Sequence, residues 1–376
     1  MAEYLTNTTD LTKVASAIRE KGGTSDSLVY PDGFVTAIQA IQTGTELQII
    51  VTVTSGATVT ATKGSLSVSG TAINGTCTLV VPEAGTWTVK ATLNGQTSDT
   101  KSVSVVDSYA VTLLFVSSTL NNNEWNVIKS VSDAGQGENY WSIGDRKAVT
   151  LNGTVGELSL SNFTTYAFII GFNHNSSLEG TNRIHFQLAK TALSGGTDVC
   201  FCDSAYDYPV RVTGLFSMNS VQNNYGGWAS SQMRTNICGT SLSSYSGTIL
   251  AVIPAALRAA LKPVTKYTDN TGGGSSAASN VTATTDYFFP LSELEVFGSI
   301  SYSNPNEKSK QVQYAYYSAG NSKIKYKHDG TSIAVMWWLR SSSVSDRYNF
   351  VMVYTDGAVT SNNAGYSYGF APGFCV

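Results

Sequence analysis

Charged residues are scarce in this sequence, and their scarcity excludes some classes of function. Asp, Glu, Lys and Arg make up 13% of its 376 residues, and the formal net charge is -3. A chain without a basic excess has no field to neutralise phosphates, so we expect no nucleic acid partner and no affinity for acidic membrane surfaces. Ser, Thr, Asn, Gly and Tyr fill the polar positions instead, a profile typical of β-rich interaction proteins.

Long apolar runs are missing as well. No stretch is long and apolar enough to span a bilayer, and residues 1–10 lack the basic and apolar regions of a secretion signal. We therefore expect synthesis in the bacterial cytoplasm and no membrane insertion. The length predicts two or three domains.

Cysteine and histidine are few and scattered. They occur at Cys77, Cys200, Cys202, Cys238, Cys375, His174, His185 and His328. Five cysteines give no complete disulfide framework, so we expect buried free thiols. Cys200 and Cys202 lack the two-residue gap of redox and zinc motifs, and the histidines are far apart in sequence without zinc spacing. No metal and no cofactor are predicted.

Residues 1–44 predict two short helices. Their apolar stripes are Leu11, Val14, Ala15 and Ile18 after an N-cap at Thr9 or Asp10, and Phe34, Ile38 and Ile41 after residues 31–33. Neither helix is long enough to be stable alone. Each must bury its stripe against a following domain or against copies of itself, so this segment is predicted to serve oligomerisation or attachment.

Residues 46–107 alternate between apolar and polar positions. The alternation covers five runs, at residues 49–53, 59–61, 79–81, 87–89 and 103–105, with turn signals such as Asn74-Gly75 and Asn94-Gly95 between them. Short strands with a turn about every ten residues predict a small immunoglobulin-like β-sandwich. Trp87 is expected in its core, and the segment carries no chemistry of its own.

Residues 108–376 predict little regular structure. Helices are indicated at residues 254–261, which begin with Pro254, and at residues 291–297. The run Gly272-Gly273-Gly274 predicts a flexible loop. So much irregular chain in one domain requires a fold with long ordered loops. The fold class predicted for the whole chain is α+β.

The C-terminal stretch MWWLRSSSVSDRYNFVMVYTDGAVTSNNAGYSYGFAPGFCV points to such a fold. It resembles the end of phage and gut-bacterial domains with a C-type-lectin fold of the formylglycine-generating-enzyme type. The shared frame is Trp337, Trp338, Arg340, Ser341, Asn349, Phe350, Val353, Gly357, Asn363, Ala364, Gly369, Pro372, Phe374 and Cys375. Residues 226–234, 252–264 and 287–298 are similar to other parts of this domain. Residues 11–41 resemble a helical module of phage tail proteins from Gram-positive hosts.

Thirteen residues between the frame positions are candidates for ligand binding. They are Ser342, Ser343, Ser345, Asp346, Arg347, Tyr348, Tyr354, Asp356, Ser361, Asn362, Tyr366, Ser367 and Tyr368. Tyr offers rigid contact area, while Ser and Asn adapt their hydrogen bonds, as in other binding loops. The same ending is shared by variable proteins of diversity-generating retroelements, where mutated Asn codons yield such residues. Diversification is an inference from that resemblance, and ordinary solvated loops are the alternative.

Two kinds of chemistry are disfavoured. The sequence has neither the calcium-binding loop of sugar-binding C-type lectins nor the cysteine pair of the oxidising enzymes with this fold, since Cys375 matches a frame position. Asp145, Glu293 and Glu295 are candidate paired carboxylates, but capping or solvated roles are expected for them.

The resemblance implies a receptor-binding tail protein that is not an enzyme. We expect a homotrimer that contacts other phage tail proteins, acts in the virion tail and binds a host cell-surface protein or glycan. The alternatives are a non-diversified bacterial or prophage surface ligand-binding protein and, ranked well below, an enzyme of the formylglycine-generating type.

Overall fold

The computed structural model of the chain describes residues 8–22, 25, 27–40, 46–206, 210 and 212–376. It forms two units, Met1–Phe115 and Val116–Val376. Secondary structure is mixed, with more strand than helix, in agreement with the predicted α+β class. None of the described helices is both long and apolar enough to cross a bilayer.

The N-terminal apolar stripes form two helices, α1 (Thr8–Gly22) and α2 (Asp32–Ala40). Ala15, Ile18 and Phe34 are buried where the helices pack on each other. Val14 and Ile38, which the sequence also places on the stripes, are 49% and 52% exposed. The apolar surface is therefore wider than the contact between the two helices. Ile41 lies outside the described residues.

Eight strands follow in the first unit. They are β1 (Gln48–Thr52), β2 (Thr58–Lys63), β3 (Leu66–Thr71), β4 (Thr76–Val80), β5 (Gly85–Leu93), β6 (Gln96–Thr97), β7 (Lys101–Val105) and β8 (Ser108–Thr112). One sheet has the order β4-β1-β8, and the other joins β3, β2 and β5, with β6 and β7 both paired to β5. A common apolar core contains residues of both sheets.

Alternating side chains build this core, as the sequence predicts. Ile49, Val59, Val89 and Val105 are fully buried while the Thr and Ser residues between such positions face outward. Trp87 is fully buried, and its indole N–H donates to the Glu83 carbonyl at 3.1 Å. Its predicted core position is confirmed.

The boundary between the units lies later than the sequence indicates. The sequence assigns residues 108–112 to the C-terminal domain. In the structure they form strand β8, which pairs in parallel with β1, from Gln48 opposite Ser108 to Thr52 opposite Thr112. Residues 108–115 therefore belong to the first unit.

Short helices and many strands alternate in the second unit. The helices are α3 (Trp125–Asp133), α4 (Gly137–Tyr140), α5 (Ser176–Glu179), α6 (Ile249–Val252), α7 (Ala255–Ala260), α8 (Glu293–Phe297) and α9 (Ala315–Ser318). Single turns of 3-10 helix lie at Leu120–Asn122, Ala278–Asn280 and Pro305–Ser309, and a π-helix at Met233–Cys238. Helices α7 and α8 match the two predicted helical segments.

Thirteen strands complete the second unit as it is described. They are β9 (Arg146–Val155), β10 (Leu158–Phe172), β11 (Ile184–Lys190), β12 (Val199–Cys200), β13 (Val264–Asp269), β14 (Val281–Asp286), β15 (Phe288–Pro290), β16 (Lys325–Lys327), β17 (Gly330–Val335), β18 (Trp337–Ser342), β19 (Asn349–Val353), β20 (Val359–Asn363) and β21 (Pro372–Cys375).

The main sheet has the order β15-β21-β11-β10-β9, so the last strand of the chain lies inside the sheet. Phe374 of β21 packs on Phe186 and Phe288, with ring centroids 5.2 and 5.1 Å apart. A separate antiparallel sheet, β18-β19-β20, positions the C-terminal candidate residues.

The frame residues of the C-terminal stretch have the packing role expected of them. Trp337, Trp338, Phe350, Ala364 and Phe374 are all fully buried. All five cysteines are free and buried, which confirms the prediction of buried free thiols.

The glycine run is packed, in contrast to the predicted flexible loop. A Cβ on Gly272 would lie 1.9 Å from the Asn224 carbonyl oxygen, and its φ is +65°. The Gly272 N–H donates to Asp269 Oδ1 at 2.9 Å, and the Gly273 N–H donates to Asn224 Oδ1 at 2.7 Å. Glycine is required here because backbone approaches backbone closely.

Candidate functional site

The β18-β19-β20 sheet and its connecting loops bring nine of the thirteen candidate residues to accessible positions. Ser345, Arg347, Tyr348 and Asp356 are exposed. The other five are partly exposed: Asp346, Tyr354, Ser361, Asn362 and Tyr366. Because β19 and β20 pair in register from Asn349 opposite Asn363 to Val353 opposite Val359, their side chains are held on a regular scaffold.

Four candidates are buried, and their prediction as surface residues is wrong. Ser342 is the last residue of β18 and Ser343 follows it, and both side chains are buried. Ser367 donates its hydroxyl to Asp203 Oδ1 at 2.7 Å. The ring of Tyr368 packs on Trp338 with centroids 5.1 Å apart, and its hydroxyl accepts from Asn362 Nδ2 at 2.9 Å. Tyr and Ser are compatible with both surface and core, so residue type alone did not separate these four from the rest.

A polar cleft of about 430 Å³ lies among the accessible candidates. It is lined by Asp346, Tyr348, Asn349, Tyr354, Thr360, Ser361, Asn362, Asn363 and Tyr366. Six of these were predicted. Asn349, Thr360 and Asn363 were missed as lining residues, although the two asparagines stood in the frame. Alternation puts Asn349 and Asn363 on the side of Ser361 but puts Thr360 on the side of Asn362, so strand period alone does not predict that all three line one cleft. We call this feature the tyrosine cleft.

Hydrogen bonds hold the side chains of the tyrosine cleft in place. Asp346 Oδ1 accepts from the backbone N–H of Tyr348 at 2.8 Å, and Asn349 Nδ2 donates to Ser361 Oγ at 3.3 Å. At the rim the Arg347 guanidinium lies over the ring of Tyr348, 5.0 Å from its centroid, and its Nη2 donates to the Tyr348 hydroxyl at 2.7 Å. Such a surface is ordered before a ligand arrives, which lowers the entropic cost of binding.

A second cluster of functional groups lies buried in the same unit. Its centre is Lys266, whose Nζ contacts Glu179 Oε2 at 2.7 Å, Glu295 Oε1 at 2.9 Å and the Tyr314 hydroxyl at 2.9 Å. Arg340 binds both oxygens of Glu295 from the opposite side. We call these five residues the ion network.

Two histidines lie beside the ion network and differ from the surface or satisfied core residues that their sequence positions predict. His174 and His185 are 11 residues apart in sequence, both are buried, and their rings lie 5.5 Å apart beside Tyr314. Burial lowers the pKa of His174 to about 3 and lowers that of His185 as well, so both imidazoles are neutral at pH 7. The Nε2 atom of each has no hydrogen-bond partner. The 11-residue spacing matches no zinc motif, and the pairing of β10 with β11 brings the two rings together.

Three buried side chains beside Lys266 carry atoms that could serve as metal ligands. Ligand atoms of His174, Glu179 and Glu295 lie within 4.8 Å of one another. However, the Lys266 ammonium already lies between the two carboxylates and neutralises them. Burial raises the pKa of Glu179 to about 7, while Arg340 and Lys266 outweigh the effect of burial on Glu295 and hold its pKa below the usual value. The arrangement fits a network of ion pairs better than a metal centre.

The remaining candidates for chemistry have structural roles. Glu295 closes a capping box with Ser292 at the start of α8, and Glu293 accepts from the backbone N–H groups of Ser301 and Ser303 at 2.6 and 2.7 Å. Asp145 accepts from the Ser142 N–H at 2.9 Å. The expected capping role is confirmed for Glu295, whereas Glu293 and Asp145 bind backbone N–H groups of neighbouring loops. Glu293 and Glu295 are fully buried, so the solvated alternative is wrong for them.

The cysteines are poor nucleophiles. Cys375 Sγ lies 3.2 Å from His185 Nδ1, but burial raises the pKa of its thiol to about 12. Burial also raises the pKa of Cys202. Because the thiolate is the reactive form, these thiols are unreactive near neutral pH.

Comparison with known protein families gives one match for part of the chain. Residues 213–376 match the family described as Domain of unknown function (DUF6273). This stretch contains the whole tyrosine cleft, as well as Lys266, Glu295, Tyr314 and Arg340 of the ion network. A search of curated proteins finds no match.

Proposed function

We propose that this chain is the receptor-binding protein of a bacteriophage or prophage tail. The N-terminal helices oligomerise as a trimer and attach to other tail proteins. The β-sandwich, immunoglobulin-like in this proposal, acts as a spacer. The second unit is a C-type-lectin-like domain that binds a host cell-surface protein or glycan. The protein is made in the bacterial cytoplasm and acts outside it, in the virion tail.

The tyrosine cleft is the observation that carries this proposal. Tyr348, Tyr354 and Tyr366 provide large rigid contact areas, and the amides and hydroxyls beside them provide adaptable hydrogen bonds. The bulky frame residues Trp337, Trp338 and Phe350, in the strands that carry the cleft, are fully buried. A rigid base that displays tyrosine, asparagine and serine suits recognition of a ligand.

The second candidate is a bacterial or prophage surface protein that binds a ligand through the same cleft without diversification. A template repeat and a reverse transcriptase gene beside the coding gene favour the diversified tail protein. An enzyme of the formylglycine-generating type draws no support from the protonated, buried thiols of Cys202 and Cys375.

Binding to bacterial cells tests the proposed function. The full-length chain, fluorescently labelled, is measured against a panel of Gram-positive strains by flow cytometry. Tyr348→Ala and Tyr366→Ala are expected to weaken binding about ten-fold or more, since aromatic anchors dominate interfaces. Tyr109→Ala removes a tyrosine that is 41% exposed in the first unit and serves as the matched control. Absence of binding to every strain, or equal binding by all variants, contradicts the proposal.

Trimer formation is tested separately in the full chain. Val14, Val35 and Ile38 are each about half exposed on α1 and α2, and trimerisation covers such apolar surface. Replacing Val14 and Ile38 by Asp is expected to give monomers in analytical ultracentrifugation, whereas Ser16→Asp, at an exposed position of α1, leaves the trimer intact. A trimer that survives the double substitution places the interface elsewhere.

A further inference from the structure

A second polar cavity lies beside the tyrosine cleft and is built by residues outside the C-terminal candidates. Its volume is about 330 Å³. Its lining includes Asn219, Asn223, Tyr225, Gln232, Thr235 and Asn236. Tyr225 is 54% exposed, so its ring is available to a ligand. We call this feature the asparagine cavity.

The asparagine cavity and the tyrosine cleft are formed by segments that are hydrogen-bonded to each other. The buried side chain of Asn224 donates through Nδ2 to the carbonyls of Ser343, Asp346 and Asn349 at 2.9, 3.0 and 2.8 Å. The Asn219 N–H donates to the Ala364 carbonyl at 3.0 Å. These bonds hold the segment that lines one cavity against the loop and strand that line the other, so the two cavities are neighbours.

Arg347 stands between the two cavities. Besides its contact with Tyr348, the Arg347 guanidinium lies near the side chain of Tyr225. Tyr348 lines the tyrosine cleft and Tyr225 lines the asparagine cavity. One guanidinium therefore lies near two exposed tyrosine rings, one from each cavity.

The lining chemistry distinguishes between ligand classes. Of the residues that line the two cavities, Asp346 is the one acidic residue, and no basic residue is among them. One oxygen of Asp346 is already used by the backbone of Tyr348. The other lining side chains are mostly amides, hydroxyls and tyrosines, which both donate and accept hydrogen bonds. A ligand rich in hydroxyl groups matches this lining, whereas a phosphorylated or carboxylated chain finds only Arg347.

We propose that the two cavities together bind a neutral oligosaccharide without a metal ion, with Tyr225 and Tyr348 against the apolar faces of its sugar rings. Asn223 Nδ2, Gln232 Oε1 and the second N–H of Asn362 bind its hydroxyls, since Gln232 Nε2 and one N–H of Asn362 are used within the protein. A chain of several sugars is needed to fill both cavities. This inference rests on the proposed function and names the ligand class. Volumes of about 430 and 330 Å³ fall within the range of roughly 300–1,000 Å³ found for small-molecule sites.

The test uses two probes with the full-length chain. The first is an array of neutral and acidic bacterial oligosaccharides of increasing length. The second is the panel of bacterial cells, treated with periodate to oxidise sugars or with protease to remove surface proteins. Parent protein is compared with Tyr225→Ala in the asparagine cavity, Tyr348→Ala in the tyrosine cleft and Tyr109→Ala as control. Thermal melts verify that each variant is folded.

We expect binding to neutral oligosaccharides in the presence of EDTA, with about ten-fold weaker binding for both Tyr225→Ala and Tyr348→Ala. Periodate should abolish binding to cells and protease should not. Binding that is lost to protease and survives periodate identifies a protein receptor and overturns this inference while the proposed function stands. Binding confined to acidic oligosaccharides, or unchanged by Tyr225→Ala, also overturns it. Failure to bind any cell contradicts the proposed function itself.

Discussion

The β-sandwich of the first unit and the second unit bury different kinds of side chains. In the described residues 46–115, Ser98 is the one buried polar residue, and the core is aliphatic apart from Trp87 and Cys77. The second unit buries Lys266, Glu295 and Arg340 without any exposure. The core of the first region is therefore almost entirely apolar, whereas the core of the second also contains paired charges.

This difference relates to the regularity of each region. Most strands of the sandwich alternate between apolar and polar residues, and this alternation is sufficient to specify which side faces the core. The second unit has long irregular connections, and its ion network ties α5, β13, α8 and β18 together through Glu179, Lys266, Glu295 and Arg340. Buried charges are costly unless every partner is in place, so they penalise alternative packings of these elements.

The largest expected effect comes from breaking the ion network. Glu295→Gln leaves Lys266 and Arg340 without their shared carboxylate, and removal of one partner of a buried ion pair costs about 3–5 kcal/mol. We expect this loss in the free energy of unfolding of the second unit, measured by urea titration with tryptophan fluorescence. Glu157→Gln, at an exposed position, is the control and should change it by less than about 0.5 kcal/mol. A loss below about 1 kcal/mol for Glu295→Gln means that the network contributes little.

Two tyrosines of the C-terminal stretch differ in burial, since Tyr368 lies in the core and Tyr348 lies at the surface. Tyr368→Ala is expected to lower the free energy of unfolding by about 3 kcal/mol, because its ring is buried against Trp338. Tyr348→Ala should change stability by less than about 0.5 kcal/mol, since its ring is 44% exposed. The same urea titration compares them. Similar losses for both variants are incompatible with their different burial.

Acid is expected to destabilise the second unit in a defined window. His174 and His185 stay neutral when folded but bind protons from about pH 6.5 downward when unfolded, so they lower stability as pH falls. Glu179 and Glu307, whose pKa values burial raises to about 7, hold protons in the folded state between pH 4.5 and 7 and oppose this effect. Below pH 4.5 that compensation ends, and Glu295, whose pKa is lowered, adds to the loss.

The free energy of unfolding is therefore expected to be nearly constant from pH 6.5 to 4.5. Below pH 4.5 it falls by roughly 1.4 kcal/mol per pH unit for each proton bound on unfolding. Urea titrations at half-unit pH intervals measure it. His174→Gln should reduce the slope of the unfolding free energy against pH below pH 4.5 by the contribution of about one bound proton. A slope that His174→Gln leaves unchanged assigns the acid sensitivity to other groups.

Metal removal is the smallest expected effect. Because Lys266 supplies the positive charge between Glu179 and Glu295, EDTA should leave the melting temperatures of both units unchanged. A drop confined to the second unit, recovered by adding a divalent cation, would place a metal ion in the ion network.

The sequence by itself determined the parts of the fold that rest on local patterns. Alternation identified β1, β2, β4, β5 and β7, proline placed the start of α7, and bulky frame residues such as Trp337 and Trp338 were correctly expected in the core. It also identified six of the nine residues that line the tyrosine cleft.

Only the tertiary structure decided which distant segments meet. Strand β8 has little buried surface and no alternating signature, and its pairing with β1 spans 60 residues of sequence. Likewise the hydrogen bonds of Asn224 to residues 343–349 join segments that are more than 100 residues apart, and the burial of Tyr368 against Trp338 depends on packing that no local pattern shows. Periodicity shows which side of an element is buried but not what covers it, because the partner is selected by packing and charge pairing in three dimensions.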